Sequence, residues 1–258
     1  MRRALALLTL VTAAAAGPAS AQTMLDQEQR LIEIHSLLLD LTPVQAPGAL
    51  SPGQLRLGLE LIGIPHIDGT TGGKVQITAS DRTPIFPRPR IALGLPAPDG
   101  FRTFVGLSYI PPIQINGVST HYGALEAGIA WAPGAAAVGL RGHGVYALSR
   151  SPVTDPQTRD TLETWEFGAD LSAGYRFDLG PVSLTPYAGA GVVYLDGKFT
   201  VTTDSIVLGS RYTGLTLGAG LRLLMTKHWE AVAEVDAYPG RLIHVSVFLG
   251  YVFDLWCP

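Results

Sequence analysis

WEFGADLSAGYRF, Trp165 to Phe177, sets Trp165, Phe167, Ala169, Leu171, Ala173, Tyr175 and Phe177 on the odd positions and Glu166, Gly168, Asp170, Ser172, Gly174 and Arg176 on the even ones. Strict alternation is the period of a β-strand, so one face here is apolar with rings at both ends and the other is polar and charged. The pattern recurs. Leu55, Leu57, Leu59 and Leu61 alternate with Arg56, Gly58 and Glu60, and Leu215, Leu217, Ala219, Leu221 and Leu223 alternate with Gly214, Thr216, Gly218, Gly220 and Arg222. A soluble sandwich would hide such an apolar face in its core. A membrane barrel would turn it to lipid and keep the charges inside.

Ten segments read as strands: 54–64, 88–96, 101–110, 121–132, 136–149, 163–177, 181–196, 208–225, 228–238 and 243–253. Most reach the roughly 9 to 11 residues that a tilted strand needs to cross a bilayer. Their connections alternate between tight turns (PAPD, APGA, DLGP, TKH) and longer pieces such as HIDGTTGGKVQITASDRTPIFP, PPIQINGVST and SRSPVTDPQTRDTLE, with the short YPGR link as the exception. This is the signature of an up-and-down antiparallel barrel, short turns on one rim and loops on the other. An even strand count puts both termini on the short-turn side. KVQITA, residues 74–79, is read as part of the first loop, because an eleventh strand would make the count odd.

Rings gather at two levels. Trp131, Phe177, Trp229 and Phe253 fall at the tight-turn ends of their strands, and Tyr109, Tyr146, Trp165, Tyr194, Tyr212 and Tyr238 at the loop ends. Two belts of this kind suit the two interfaces of a bilayer, whereas a sandwich core would hold its rings at mid-strand. With LTPYAGAGVVY (184–194), GLTLGAGLRLL (214–224), HWEAVAEVDAY (228–238) and VSVFLGYVF (245–253), the chain from about Gln54 to Phe253 resembles the small outer-membrane β-barrel proteins of the OmpA-like or porin-family kind. The resemblance implies a Gram-negative outer membrane, surrounding lipid as partner, and insertion by the barrel-assembly machinery, which reads a C-terminal aromatic. Phe253, with Tyr251 two before it, is similar to that signal, although this chain continues with DLWCP.

The N-terminus agrees with export. Arg2 and Arg3, the apolar run ALALLTLVTAAAA and an A-x-A site at Ala19-Ser20-Ala21 read as a signal peptide over residues 1–21. Hydrophobic residues make up 47% and charged residues only 15%, yet no later run approaches the roughly 18 apolar residues of a membrane helix. A formal net charge of −3 leaves no basic footprint for nucleic acid. Cys257, the single cysteine, allows no internal disulfide.

Residues 23–41 have helical period, with Leu31, Ile34, Leu38 and Leu41 as an apolar stripe, Thr23 as cap and Pro43 as stop. TPVQAPGALSPG then reads as a Pro/Gly-rich linker, so residues 22–53 are a helix plus linker ahead of a 54–258 barrel. The strands' apolar faces are turned to lipid, so the stripe needs another partner: the barrel interior, the inner leaflet surface, or a periplasmic protein. Gly189 and Gly191 leave room inside, and the expected position is a plug or cap at the periplasmic mouth.

By parity the lumen receives Arg56, Glu60, Arg102, Glu126, Arg141, His143, Glu166, Asp170, Arg176, Arg222, Glu230, Glu234 and Asp236. Both signs in a narrow interior point to a cross-braced network, because a buried charge needs a partner. Asp170 is expected to pair with Arg141, Arg176 or Arg222. A polar binding site or a permeation path among the same residues is the alternative, and a general porin is not, since barrels of this size are filled by side chains. His244-Val245-Ser246 matches the H-x-S pair of outer-membrane lipid hydrolases but lacks the following Asn and faces inward. The Asp-His couple of omptin proteases has no counterpart at a loop-side strand end. DGTTGGKV, Asp68 to Val75, departs from a phosphate loop in spacing and in its last residue. No metal-ligand spacing occurs, and neither a cofactor nor a catalytic constellation is expected. The expected function is structural or surface-interacting, or a narrow conduit. The alternatives are a barrel enzyme acting on lipid A or phospholipid and a secreted soluble barrel that binds an apolar ligand.

Overall fold

The computed structural model describes residues 24–67, 86–115, 118–151, 159–202 and 206–255. The leader, residues 74–79 and Cys257 therefore lie outside the described residues. A helix, α1 (Met24–Leu37), precedes the strands β1 (Gln54–Ile67), β2 (Phe86–Leu95), β3 (Phe101–Ile115), β4 (Val118–Trp131), β5 (Ala136–Ser151) and β6 (Asp160–Tyr175). After these come the short β7 (Phe177–Leu179), β8 (Val182–Val201), β9 (Ile206–Met225), β10 (Trp229–Tyr238) and β11 (Leu242–Asp254). Each strand pairs antiparallel with its neighbour, and β1 pairs with β11 from Gln54 against Asp254 to Ile67 against Leu242, which closes the sheet. Strands β6 and β7 both pair with β8 and form one barrel strand interrupted at Arg176, so the barrel has ten strands.

The faces sort as alternation requires. Leu125, Leu171 and Leu249, at mid-strand, are 65%, 58% and 59% exposed, while Arg56, Glu60 and Arg88 are fully buried. A water-soluble fold would reverse this, so an apolar exterior around a charged interior is the arrangement a bilayer selects. Among the described residues no helix is long and apolar enough to cross a membrane; the strands supply the crossing.

At the loop side Tyr109, His121, Tyr146 and Trp165 form an outward row with neighbouring ring centroids 5.6, 6.5 and 4.5 Å apart. Tyr194 is exposed at the same rim. At the tight-turn side Trp229, Tyr251 and Phe253 make a second row at 5.1 and 4.6 Å, and Trp131 and Phe177 are also exposed there. Two expected belt members do not belong. Tyr238 is 1% exposed and Tyr212 is partly buried against the helix. Both stand on inward positions, in step with Asp236 and Gly214, so the strand period sends their rings into the lumen whatever their height.

The strands on the loop side outrun expectation. Residues 111–120, read as a loop, mostly continue the β3–β4 hairpin, and β8 and β9 each run for 20 residues. That is about twice what a crossing needs, so these two strands project beyond the outer belt.

Candidate functional site

The lumen is occupied by the chain's own N-terminal segment. Helix α1 ends at Leu37, short of the expected Leu41, and residues 38–53 descend through the barrel as irregular backbone to the tight-turn rim. At the upper end Ile34 and Leu37 pack with Val193, Leu195, Tyr238 and Leu242. Lower down, Leu39 and Leu41 meet Tyr122, Ala124 and Val145, Val44 and Ala46 meet Tyr187, Val232 and Phe248, and Leu50 meets Ala92 and Val252. At the bottom Gly53 N–H donates to Gly94 O at 2.9 Å and Leu255 N–H to Gly53 O at 2.9 Å. Residues 42–53 are thus a packed lumen filling, and the expected linker is corrected on that point. The expected cap at the periplasmic mouth is corrected too, since the helix lies in the loop-side half.

Non-helical backbone at membrane depth is tolerated only where its N–H and C=O groups find partners. Here arginines from the wall supply them. Arg88 Nη1 donates to Leu39 O (3.2 Å) and Asp40 O (2.7 Å), Arg141 Nη2 to Leu41 O (2.8 Å), Arg90 Nη1 to Thr42 O (2.8 Å), and Arg56 Nη1 to Val44 O (3.2 Å). This accounts for the early end of α1, because a helix would turn those carbonyls along its own axis. Val44 N–H donates to Glu234 Oε1 at 3.0 Å. Val44 has φ +34°, a conformation that costs a β-branched residue about 1–3 kcal/mol and persists where surroundings over-determine it. Clamping of both its backbone groups provides that.

The same arginines are held by carboxylates. Glu60 receives Arg88 Nε and Nη2, both at 2.8 Å, and Arg90 Nη1 at 3.1 Å. Glu126 bridges Arg90 (2.8 Å) and Arg141 (2.9 Å). Asp170 meets Arg141 at 2.6 Å and, of the three expected partners, only this one. Arg56 and Arg222 share Glu230. The segment adds its own acid. Asp40 meets His143 Nε2 at 2.8 Å and accepts from Tyr238 Oη at 2.6 Å. Tyr187 Oη donates to Glu234 at 2.5 Å.

Of the residues expected inside, Arg56, Glu60, Glu126, Arg141, His143, Glu166, Arg222, Glu230, Glu234 and Asp236 are buried, and Asp170 is nearly so. Arg176 is corrected: it sits at the β6–β7 interruption, half exposed, paired with Asp178 at 3.2 Å. A break in the strand ends strict alternation, so parity no longer places a side chain there. Arg88, Arg90, Tyr122 and Asp40 were not anticipated. Arg88 and Arg90 alternate with Pro87 and Pro89, so the prolines obscured a period that ran inward. His244 and Ser246 are fully buried in the lumen wall and share no hydrogen bond. Among the described residues no group of three or more His, Cys, Asp or Glu could hold a metal.

Close approach of the segment constrains the wall. A Cβ on Gly94 would lie 2.0 Å from Ser51 O, and one on Gly139 would lie 2.9 Å from Pro47 Cβ. Below this, at the tight-turn rim, a cavity of about 420 Å³ is lined by residues including Arg102, Arg176, Arg222, Lys227 and Asp178.

Asp170→Leu is expected to lower stability by about 2 kcal/mol, the scale of one charged hydrogen-bonded partner, because Arg141 keeps Glu126 and the carbonyls of Leu41 and, at 3.3 Å, Thr42. Urea midpoints of the detergent-folded protein would measure it. A change no larger than that of a turn substitution such as Asp99→Asn would contradict the pairing.

Residues 89–241 match the family described as outer membrane protein beta-barrel domain. No curated protein matches the chain. Among solved structures, the N-terminal β-barrel domain of Pseudomonas aeruginosa OprF is 14% identical, with TM-score 0.32, 79% of this chain and 100% of that one covered. The translocator domain of autotransporter NalP from Neisseria meningitidis is 12% identical, with TM-score 0.47 and coverage of 88% and 95%. Ail, the attachment invasion locus protein of Yersinia pestis, is 15% identical, with TM-score 0.32 and coverage of 78% and 99%.

Proposed function

The chain belongs to the outer membrane protein β-barrel family, and from that premise we propose that it is an outer-membrane barrel kept closed by its own N-terminal segment, serving as a structural, surface-presenting protein. One observation carries this reading: backbone carbonyls from Leu39 to Val44 are held by four wall arginines, each also tied to a wall carboxylate. A segment bound at so many points along the lumen does not leave a continuous water path. Lipid covers the outward leucines, and the barrel-assembly machinery inserts the chain through the Tyr251 and Phe253 signal after export by the leader at residues 1–21.

A gated conduit is a second reading, favoured by the basic cavity at the tight-turn rim. The two part in a planar bilayer. Full-length protein is expected to give a baseline indistinguishable from bare lipid at moderate voltage, and frequent discrete openings would overturn the closed reading in favour of the conduit. Fractionation tests the premise that both share: recovery in the soluble fraction without detergent would overturn either.

A further inference from the structure

We propose that the chain crosses the outer membrane an eleventh time, through its own lumen, so that the end at Met24 is presented on the external face while β1 begins on the periplasmic one. This goes beyond the closed-barrel reading, since a lumen could be sealed by a segment that enters and leaves at the same rim.

The direction of the segment follows from its contacts. At the bottom, Gly53 bonds to Gly94 and Leu255, level with the belt that contains Trp131, Trp229 and Phe253. Asp40, at mid-height, meets His143. Leu37 packs against Val193 and Leu195, on either side of the outer-belt residue Tyr194. Ile32 lies beside Gly197, three residues further along β8 than Tyr194, where a Cβ would approach it to 2.7 Å. Moving from residue 53 to residue 32 therefore carries the chain monotonically from one belt past the other. From Ile32 to Met24 the helix has eight more residues, about 12 Å at 1.5 Å each.

The loop rim is built to receive it. Arg30 Nη2 donates to Gly240 O at 3.1 Å, and Glu33 pairs with Arg241 at 2.8 Å, both in the turn between β10 and β11. That turn is three residues long, the exception among loop-side connections read from the sequence, and its shortness leaves the helix a low sill. On the other side Ser210 Oγ donates to Glu33 Oε1 at 2.8 Å, from the projecting β9. In a barrel of this kind the short turns face the periplasm and the loops face outward, so the loop rim is the cell surface.

Single cysteines in a Cys257→Ser background, probed with a membrane-impermeant maleimide on intact cells, test the topology. Gln29→Cys, partly exposed on the helix, is expected to label as fully as Thr202→Cys at the loop rim. Asp99→Cys, in a tight turn, is expected to label only after the membrane is permeabilised. Gln29→Cys labelling together with Asp99→Cys, only after permeabilisation, would overturn the proposal, as would labelling of Asp99→Cys alone in intact cells. An epitope inserted immediately before Met24 gives a second arm that does not depend on a helix substitution. Antibody binding to intact cells is expected, and binding only to lysed cells would overturn the proposal. Failure here would leave the conductance of the full-length barrel, and so the closed-lumen reading, untouched.

Discussion

Deleting residues 24–50 is expected to turn a silent barrel into a conducting one. The strand ladder from β1 to β11 does not pass through this segment, so the barrel can still close. The wall arginines lose their carbonyl acceptors but keep Glu60, Glu126, Asp170 and Glu230, which limits the loss of stability. What remains is an interior lined by charges with nothing between them, and water fills a polar space of that size. Discrete single-channel steps in a planar bilayer are the expected readout, with a lower urea midpoint than the full-length protein. A truncated barrel that inserts normally and conducts no better than the intact one would show that the wall side chains close the lumen by themselves.

Glu60→Gln should produce the largest stability loss of any single lumen substitution. Its carboxylate takes three bonds from Arg88 and Arg90 and one from Thr42 Oγ1 at 3.1 Å, all fully buried. Removing the charge leaves Arg88 without a carboxylate partner and Arg90 with Glu126 alone, and breaking a buried pair in this way costs about 3–5 kcal/mol. Asp196→Asn provides the contrast. Asp196 pairs with Arg211 at 3.0 Å on the exposed surface, where such pairs contribute about 0–1 kcal/mol. Equal urea midpoints for the two variants would contradict the view that the network around Glu60 organises the lumen.

The barrel was legible in the sequence because lipid imposes a stricter pattern than a protein core. Leu55 to Leu61 and Trp165 to Tyr175 carry strict alternation, and the turns announce themselves with Pro, Gly and Asp. The same period, applied to Tyr212 and Tyr238, places them inward, because height along a strand does not decide which face a ring occupies. The lumen segment was not legible for a different reason. Proline, glycine and small polar residues mark both a solvated linker and a chain whose carbonyls are bound by arginines, and nothing local in TPVQAPGALSPG separates the two. The distinguishing signal lies elsewhere, in Arg88 and Arg90 on a strand already rich in buried charge, whose acceptors the wall alone does not fully supply. Asp40, outside every strand, could be placed only by knowing the path of the segment.

The fit of Pro47 against Gly139 and of Ser51 against Gly94 bears on how this protein can be recombined. Residues 38–53 and the strands that follow are complementary surfaces, so they are not interchangeable parts. A barrel with any side chain at the position of Gly94 or Gly139 would meet this segment where it must pass, and a segment of another register in this barrel would leave the wall arginines without their carbonyl acceptors. A working chimera has to exchange both pieces together.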